Sequence, residues 1–221
     1  DLTTLNLRVV SQYDSRDNRI RETAYNSGGT ALTQKRMEYD EIGRTTRAVQ
    51  MADPASTTSV SLNADRVTDR TYEYASDRVD TQTTHAGNPA QSRTTAYGYD
   101  ASTRAMNLVT VFDKSGGTKK SESVYTGFEG EEKVQSTQGY YYDGSAKDYT
   151  SYHYTLGVMD THTTYYGDST STLKKQTAIY SGAEGEEKIA SSTDLYRSGA
   201  VKSYTAYDYD ASTRAMNKVT V

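Results

Sequence analysis

Aromatic and polar residues alternate along most of this chain, with the period of two that is typical of a β-strand. Tyrosines recur two residues apart, which places both rings of a pair on one face of a strand. These pairs are Tyr72/Tyr74, Tyr97/Tyr99, Tyr140/Tyr142, Tyr152/Tyr154 and Tyr207/Tyr209. No stretch has the 3.6-residue spacing of apolar positions that favours a helix. The pattern therefore predicts an all-β protein.

Clusters of Asp, Gly and Ser interrupt the alternating segments about every 14 residues, as at Asp100–Thr103 and Glu129–Glu132. These residues favour turns, because Gly tolerates a positive φ and Asp or Ser side chains bond the local backbone. The segments between turns are long enough for strands of roughly eight to ten residues. We therefore expect an array of antiparallel β-hairpins.

Two nested repeats organise the second half of the chain. The nine residues from Tyr99 to Asn107 return unchanged from Tyr209 to Asn217, an offset of 110. Half of that interval is also a repeat, because Tyr125-Thr-Gly-Phe-Glu-Gly-Glu-Glu-Lys133 returns as Tyr180-Ser-Gly-Ala-Glu-Gly-Glu-Glu-Lys188. Each 55-residue unit is predicted to hold four strands.

The repeats predict one continuous array with two parts. Residues 1–96 follow the same pattern more loosely, with an irregular loop near residues 51–59, and residues 97–221 contain the regular 55-residue units. The chain stops in mid-unit and opens on Asp1. We therefore expect it to be a fragment of a longer protein.

The composition explains how such a chain differs from a disordered one. Leu, Ile, Val and Phe contribute 29 of the 221 residues, which is a low share for a folded domain. However, the formal net charge is only -4, and there are 21 Tyr and 2 Pro. Disorder usually combines low hydrophobicity with a high net charge and few aromatic residues. We therefore predict an ordered sheet in which tyrosine replaces much of the aliphatic core.

The composition and charge of the chain also disfavour several functional classes. No apolar run approaches the roughly 18 residues of a membrane-spanning helix, and a sequence pI of about 5.5 gives no basic surface for nucleic acid. The chain has no Cys, which excludes disulfides and thiolate metal sites. No signal peptide is visible.

The segment Met37-Glu-Tyr39-Asp40-Glu41-Ile42-Gly43-Arg44 resembles the signature of RHS or YD repeats. Imperfect copies are Tyr13-Asp14 with Asn18-Arg19, Tyr74 with Arg78, Tyr99-Asp100 with Arg104, Tyr154 without an Arg, and Tyr209-Asp210 with Arg214. The copies at Tyr99 and Tyr209 have Thr103 and Thr213 at the position of the glycine. The resemblance implies that Tyr ends a strand, Asp opens the turn, Gly takes the strained position and Arg starts the return strand.

The same resemblance implies an exported or cell-surface protein built as a spiralling β-sheet or tube. Similar arrays form the hollow shells of bacterial polymorphic toxins and insecticidal toxin complexes, and they occur in teneurin ectodomains. The repeats of that family are not enzymes. No autoproteolytic region or toxin payload is recognisable in this sequence.

Few residues are candidates for chemistry. The three histidines, His85, His153 and His162, are expected at solvated strand or turn positions. Ser171-Thr-Leu-Lys174 has the Ser-x-x-Lys spacing of some acyl-transfer enzymes, but that motif requires a helix, and we predict a turn and strand here.

The acidic turns offer a weak calcium site. Clustered carboxylates suit Ca²⁺, but the spacing lacks the alternating Asp ladder of known calcium loops. The candidates are Glu129, Glu131, Glu132, Glu184, Glu186 and Glu187. Solvated turns that keep hairpin ends apart are the preferred interpretation.

The many Thr and Ser residues suit exposed strand faces, with O-glycosylation as the alternative.

Taken together, the sequence predicts a non-enzymatic structural segment without cofactors, whose main partner is itself. Two alternatives stay open, namely part of a toxin-enclosing shell and a carbohydrate-binding or adhesin module in which Tyr rows stack on glycans.

Overall fold

The computed structural model describes residues 7–62, 64–87, 91–113, 117–210, 212–213 and 215–220. These residues contain sixteen β-strands and no α-helix, which confirms the all-β prediction. Among the same residues, no helix is long and apolar enough to cross a membrane.

The strands are five to ten residues long. Their bounds are β1 Arg8–Tyr13, β2 Arg19–Tyr25, β3 Ala31–Tyr39, β4 Thr45–Gln50, β5 Arg66–Tyr72, β6 Val79–Ala86, β7 Arg93–Tyr99, β8 Met106–Asp113, β9 Lys119–Thr126, β10 Lys133–Tyr140, β11 Ala146–Thr155, β12 Val158–Tyr166, β13 Lys174–Ser181, β14 Lys188–Leu195, β15 Val201–Tyr209 and β16 Met216–Thr220. The two 55-residue units therefore contain β9–β12 and β13–β16, four strands each.

The strands form one open antiparallel sheet whose order follows the sequence from β1 to β16. This is the hairpin array predicted from the turn spacing. Strands that pair in the sheet are therefore consecutive in the sequence. Contacts between strands join residues that are close in sequence, and each hairpin forms by the same kind of local pairing.

Almost every hairpin contains a β-bulge at the same place. Tyr39 pairs with Thr45 while Glu38 pairs with Arg47, so one residue of the return strand has no opposite partner. The same shift occurs at Tyr72, Tyr154 and Tyr209. A bulge bends the strand and increases its local twist. The strand-end tyrosine therefore marks the point at which each hairpin bends.

The chain divides into two compact units. Unit 1 contains residues 1–97 and 111–118, and unit 2 contains residues 98–110 and 119–221. Each is described by itself below.

Unit 1 has an aliphatic core because a long loop packs on its sheet. The connection between β4 and β5 runs from residue 51 to residue 65, beyond the predicted 51–59. Met51 of this loop is buried with Val49 and Val67, and two further loop side chains, Val60 and Leu62, pack against them. The loop is therefore part of the core.

Polar contacts fix the same loop to the sheet. The Asp65 carboxylate accepts hydrogen bonds from the N–H groups of Ala52 and Ser61, both at 2.8 Å. The fully buried Gln34 donates to the Pro54 carbonyl at 2.8 Å, and Arg36 donates to the carbonyls of Ser56 and Thr58. The loop carbonyls thus find donors on the sheet face, as buried backbone groups must.

Unit 2 lacks such a cluster among its described residues, where the buried hydrophobic side chains are Ala105 and Ala178. Half-buried rings take that place. His162 lies between Tyr152 and Tyr180, with ring centroids 5.8 and 5.7 Å away. Burial raises the pKa of the Tyr180 phenol, and nearby Tyr207 and Tyr209 contribute to the shift.

Two details of the turns differ from the sequence-based expectation. Tyr74 does not end a strand: β5 ends at Tyr72, and Tyr74 is fully exposed in the turn. In the next copy Arg104, and not Thr103, has the left-handed conformation, with φ of 63°. That turn is one residue longer, since the Asp100 N–H donates to Ala105 O, whereas the Asp40 N–H donates to Arg44 O.

Candidate functional site

An open groove of about 730 Å³ lies within unit 2 where three consecutive hairpins turn. These turns follow β9, β11 and β13. Tyr125 and Tyr154 supply aromatic walls, and Met159 adds an apolar surface. Carboxylates line the rest, at Glu131, Glu132, Glu184 and Glu187, together with Lys133. The groove is therefore acidic and partly aromatic.

Lys133 joins the three hairpins that form the groove. Its ammonium group lies 5.7 Å from the centre of the Tyr154 ring and donates hydrogen bonds to Gly157 O and to the Glu184 carboxylate. One turn residue, Leu156, is 97% exposed with φ of 52°, and Gly157 follows at 87°. Both central residues of this tight turn are left-handed, as in a type I′ hairpin. This turn places Gly157 O where the Lys133 ammonium group can donate a hydrogen bond to it.

The lysine-on-tyrosine contact returns one unit later. Lys188 and Tyr209, the counterparts of Lys133 and Tyr154, are 4.9 Å apart. A smaller groove of about 340 Å³ lies beside them and includes Glu186. In unit 1, Arg44 lies 4.7 Å above the Tyr72 ring. Cation–π contacts of this kind stabilise by roughly 0.5–1 kcal/mol at exposed sites.

A second repeated contact uses the last glutamate of each acidic turn. Glu132 accepts from the Met106 N–H at 2.9 Å, and Glu187 accepts from the Met159 N–H at 3.2 Å. In each case the carboxylate reaches the first residues of a strand in the preceding hairpin. The Met106 N–H lowers the pKa of Glu132, while the N–H groups of Glu187 itself and of Met159 lower the pKa of Glu187.

Strand-end tyrosines form a third link between hairpins. Tyr39 donates its hydroxyl hydrogen to Arg19 O at 2.9 Å, Tyr72 to Thr45 O at 2.8 Å, and Tyr209 to Ile189 O at 3.0 Å. Each acceptor lies near the start of a strand in the preceding hairpin. The hydroxyl therefore has a structural partner, which explains why Tyr and not Phe is used at these positions.

The strict Tyr-Asp copy forms a compact turn. Tyr39 ends β3, Gly43 has φ of 86°, and Arg44 donates to the Asp40 carboxylate through its backbone N–H and its guanidinium group. Desolvation opposes ionisation of Asp40, but the hydrogen bonds from Arg44 and from the Ile42 N–H keep its pKa below the usual range.

In the copies at Tyr99 and Tyr209, the Asp that follows the tyrosine also accepts hydrogen bonds, but from different partners. Tyr99 ends β7 and Tyr209 ends β15, whereas Tyr154 is followed by Thr155 within β11. Asp100 and Asp210 each accept from a Ser hydroxyl and from Ser and Thr backbone N–H groups, and these hydrogen bonds lower the pKa of both carboxyls. Arg104 lies 3.8 Å from Glu129. Arg214 lies outside the described residues.

The calcium candidates are spread over separate contacts. Glu132 and Glu187 bind backbone N–H groups, Glu129 faces Arg104, and Glu184 pairs with Lys133. Glu131 and Glu186 lie exposed in the turns. Within the part of the chain that the structure describes, no three His, Cys, Asp or Glu side chains form a group that could hold a metal ion.

The histidines occupy three different environments. His153 is exposed and lies 2.7 Å from Asp160, and His162 is half-buried between its two tyrosines. His85 is only 9% exposed and pairs opposite Val67 in unit 1, so its expected solvated position was wrong. Ser171 lies in the turn before β13, where its hydroxyl accepts from the Leu173 N–H. The helix required by a Ser-x-x-Lys site is absent from this segment.

These contacts join one hairpin of the chain to the next, and they bring together no nucleophile, base and oxyanion donor. The sequence contained a signal for the lysine–tyrosine contact, because Lys133 and Tyr154 are both repeated at the 55-residue offset. The sequence contained no signal for the partner of Glu132, because that partner is a backbone N–H, which almost every residue type can supply.

Comparison with known proteins gives only distant likenesses. A scan against protein-family models finds no matching family, and a search of curated proteins finds no match. A solved structure of TcdB2-TccC3 is similar with a TM-score of 0.39 and 9% identity, over 93% of this chain and 15% of that chain. A porin-like protein from Bacteroides uniformis gives a TM-score of 0.36 and 12% identity, over 94% of this chain and 83% of that one.

This chain therefore spans about 15% of the length of the first of these structures. Likenesses at such TM-scores and identities assign neither a family nor an activity.

Proposed function

We propose that this chain is a non-enzymatic structural repeat segment that builds a self-associating β-sheet fibre or wall in a secreted or cell-surface protein. One observation carries the proposal, namely that the contacts between hairpins recur at the repeat interval. Lys133 with Tyr154 returns 55 residues later as Lys188 with Tyr209. Glu132 also returns 55 residues later as Glu187, and its partner changes from the Met106 N–H to the Met159 N–H, 53 residues later and again near the start of a strand in the preceding hairpin.

Contacts that repeat with the sequence allow units to be added without a new kind of interface. In repeat proteins, stability is approximately the sum of unit stabilities and nearest-neighbour interfaces. Membership of the RHS/YD-repeat family belongs to the same proposal. Its support is the turn from Tyr39 to Arg44, where Asp40 and Gly43 have the roles that the motif implies.

The proposal is tested by lengthening the array. A second copy of residues 113–167 is inserted after Gly167, and the protected backbone amides are counted by hydrogen exchange. We expect about four further protected strands and long filaments in electron micrographs. As a control, the inserted copy has its equivalents of Glu132, Lys133 and Tyr154 replaced by Ser, and it should exchange faster.

An inserted unit that stays unprotected would contradict the structural proposal. Closed capsules in place of filaments would favour the shell alternative. An intrinsic catalytic activity that disappears on substitution of His153, His162 or Glu131 would contradict the non-enzymatic assignment.

The groove favours a second candidate function, carbohydrate binding. Tyr125 and Tyr154 offer aromatic surface and Glu131 and Glu184 offer exposed hydrogen-bond acceptors. A glycan array with the parent chain and Tyr154→Ser tests this candidate. Binding that Tyr154→Ser abolishes would support it, and an array without binding would contradict it.

A further inference from the structure

A pocket of about 290 Å³ lies on the sheet of unit 1, across β3, β4 and β5. Val49 and Val67, which the loop at residues 51–65 covers, alternate with its lining residues along β4 and β5. Successive side chains of a strand point to opposite faces, so this pocket opens on the face away from the loop. Its lining consists of two cross-strand rows, namely Lys35, Gln50 and Arg66, and Met37, Ala48 and Thr68.

The floor of the pocket is a depression above the central strand. Ala48 of β4 pairs with Met37 on one side and with Thr68 on the other. Because a methyl group stands between two longer side chains, space is left above it. All three residues are half-buried, and the flexible thioether of methionine adapts its shape to what it contacts. The floor therefore suits a compact apolar group.

The other row makes one end of the pocket cationic. Lys35 and Arg66 lie on either side of Gln50, and both are exposed. Neighbouring strands are about 4.8 Å apart, so the Cα atoms of the two basic residues are about 10 Å apart. Two side chains of this length can both reach a group that is held above Gln50.

The nearest carboxylates already have other partners. Glu22 lies directly opposite Lys35 on β2, but it pairs with Arg19. Asp69 of β5 belongs to the face of Val67, where it binds Arg47 at 2.7 Å. Neither Lys35 nor Arg66 has an acidic partner among the described residues. In a chain of net charge -4, this pocket thus combines two unneutralised cations with an apolar floor.

We propose that this pocket binds a small organic carboxylate with a compact apolar body. The guanidinium group of Arg66 offers paired N–H donors that match a carboxylate, and Lys35 supplies a second positive charge. The apolar body lies on Ala48 between Met37 and Thr68. Pockets for small ligands typically combine an apolar lining with a few polar groups that fix the orientation. The site goes beyond the structural function, since growth of the array does not require it.

The test uses benzoate as the probe, followed by the backbone amide signals of residues 35–37, 48–50 and 66–68 in NMR titrations of the full chain at low salt. Benzamide has nearly the same shape without the charge, and inorganic sulfate has the charge without the apolar body. We expect saturable binding of benzoate with a Kd on the order of 1 mM, a value typical of a small ligand in an open pocket. Benzamide and sulfate should each bind at least tenfold more weakly.

Three variants separate the two parts of the pocket. Arg66→Gln and Lys35→Gln each remove one charge at an exposed position and should weaken benzoate binding roughly tenfold. Ala48→Leu fills the depression and should abolish binding. Lys202→Gln, at an exposed strand lysine of unit 2, is the matched control and should bind as the parent chain does. Unchanged amide signals away from the pocket show that each variant is folded.

The absence of saturable benzoate binding would overturn the inference. So would equal affinity for benzamide or sulfate, or parental affinity in both Arg66→Gln and Lys35→Gln. The two charge variants are at exposed positions, so the test does not depend on whether Ala48→Leu folds.

Discussion

The two compact units stabilise the same kind of sheet by different means. In unit 1, one 15-residue loop folds onto the strands and buries Met51 with Val49 and Val67. In unit 2, half-buried rings cover the sheet, and lysine, glutamate and tyrosine side chains link successive hairpins. Unit 1 thus concentrates its apolar burial at one place, whereas unit 2 distributes small contacts along the repeat.

This difference shows what a repeat array requires. A core formed by one loop cannot be repeated without repeating the loop. Contacts such as Lys133 with Tyr154 need only residues of the 55-residue unit, and they return with each copy. The comparison also predicts a difference in stability. A substitution in the core of unit 1 should lower the free energy of unfolding more than the same kind of substitution in unit 2.

The largest expected effect is in the core of unit 1. Met51→Ala removes a side chain that is only 4% exposed, and we expect a loss of about 3 kcal/mol in the free energy of unfolding, measured in urea. Met159→Ala in unit 2 is the matched control. Its side chain is half-buried in an open groove, so the same substitution should cost less than about 1 kcal/mol. Equal losses would show that the two units do not differ in this way.

A smaller effect should separate two glycines of one acidic turn in unit 2. In Gly127→Ala the new Cβ would lie 2.6 Å from Glu131 O, with φ of 134°, and we expect a loss of about 2 kcal/mol. Gly130→Ala meets nothing within 4 Å and bears only the cost of φ at 86°, about 1 kcal/mol. Thermal unfolding of both variants measures the difference.

The same close approach exists at Gly182, where a Cβ would lie 2.7 Å from Glu186 O. Gly182→Ala should therefore behave like Gly127→Ala. If Gly130→Ala were the more damaging change, the turn geometry and not the close approach would limit this position.

Local chemistry made the strands and turns predictable from the sequence. Alternating Tyr pairs and Asp-Gly clusters report the period of a strand and the conformation of a turn, and the hairpin array follows from them. Where two turn lengths compete, local residues are not decisive. Thr103 appeared to occupy the glycine position, but the longer turn places Arg104 in the left-handed conformation.

Contacts between distant segments were less predictable. The sequence predicts an irregular loop near residues 51–59. The observed loop, residues 51–65, packs on the sheet through donors such as Gln34 and Arg36, which lie on β3. The partners of Glu132 and Glu187 are backbone groups, which leave no mark in the sequence. The sequence therefore predicts solvated acidic turns, whereas in the structure Glu132 and Glu187 each bind a backbone N–H of a neighbouring hairpin. A second carboxylate of each turn, Glu129 or Glu184, pairs with a basic side chain of a neighbouring hairpin.

The smallest effect we expect is a pH dependence of stability that arises from the carboxylates of Glu132 and Glu187 in unit 2. The pKa of each lies below the ordinary 4.5 because backbone N–H groups stabilise the ionised form. A group with a lowered folded-state pKa contributes stability that is complete above its unfolded-state pKa and is lost as the pH falls through the folded-state value. Acidification from about pH 5 should therefore weaken the links between hairpins.

The double variant Glu132→Gln and Glu187→Gln isolates this contribution, because the amide oxygen still accepts a hydrogen bond but does not titrate. Its urea midpoint should fall less than that of the parent chain between about pH 5 and about pH 2. Glu131→Gln, at the exposed residue beside Glu132, is the control and should retain the parental slope. A double variant as acid-sensitive as the parent would mean that these links add nothing to unit 2, and that the rings and the strand pairing alone hold its hairpins together.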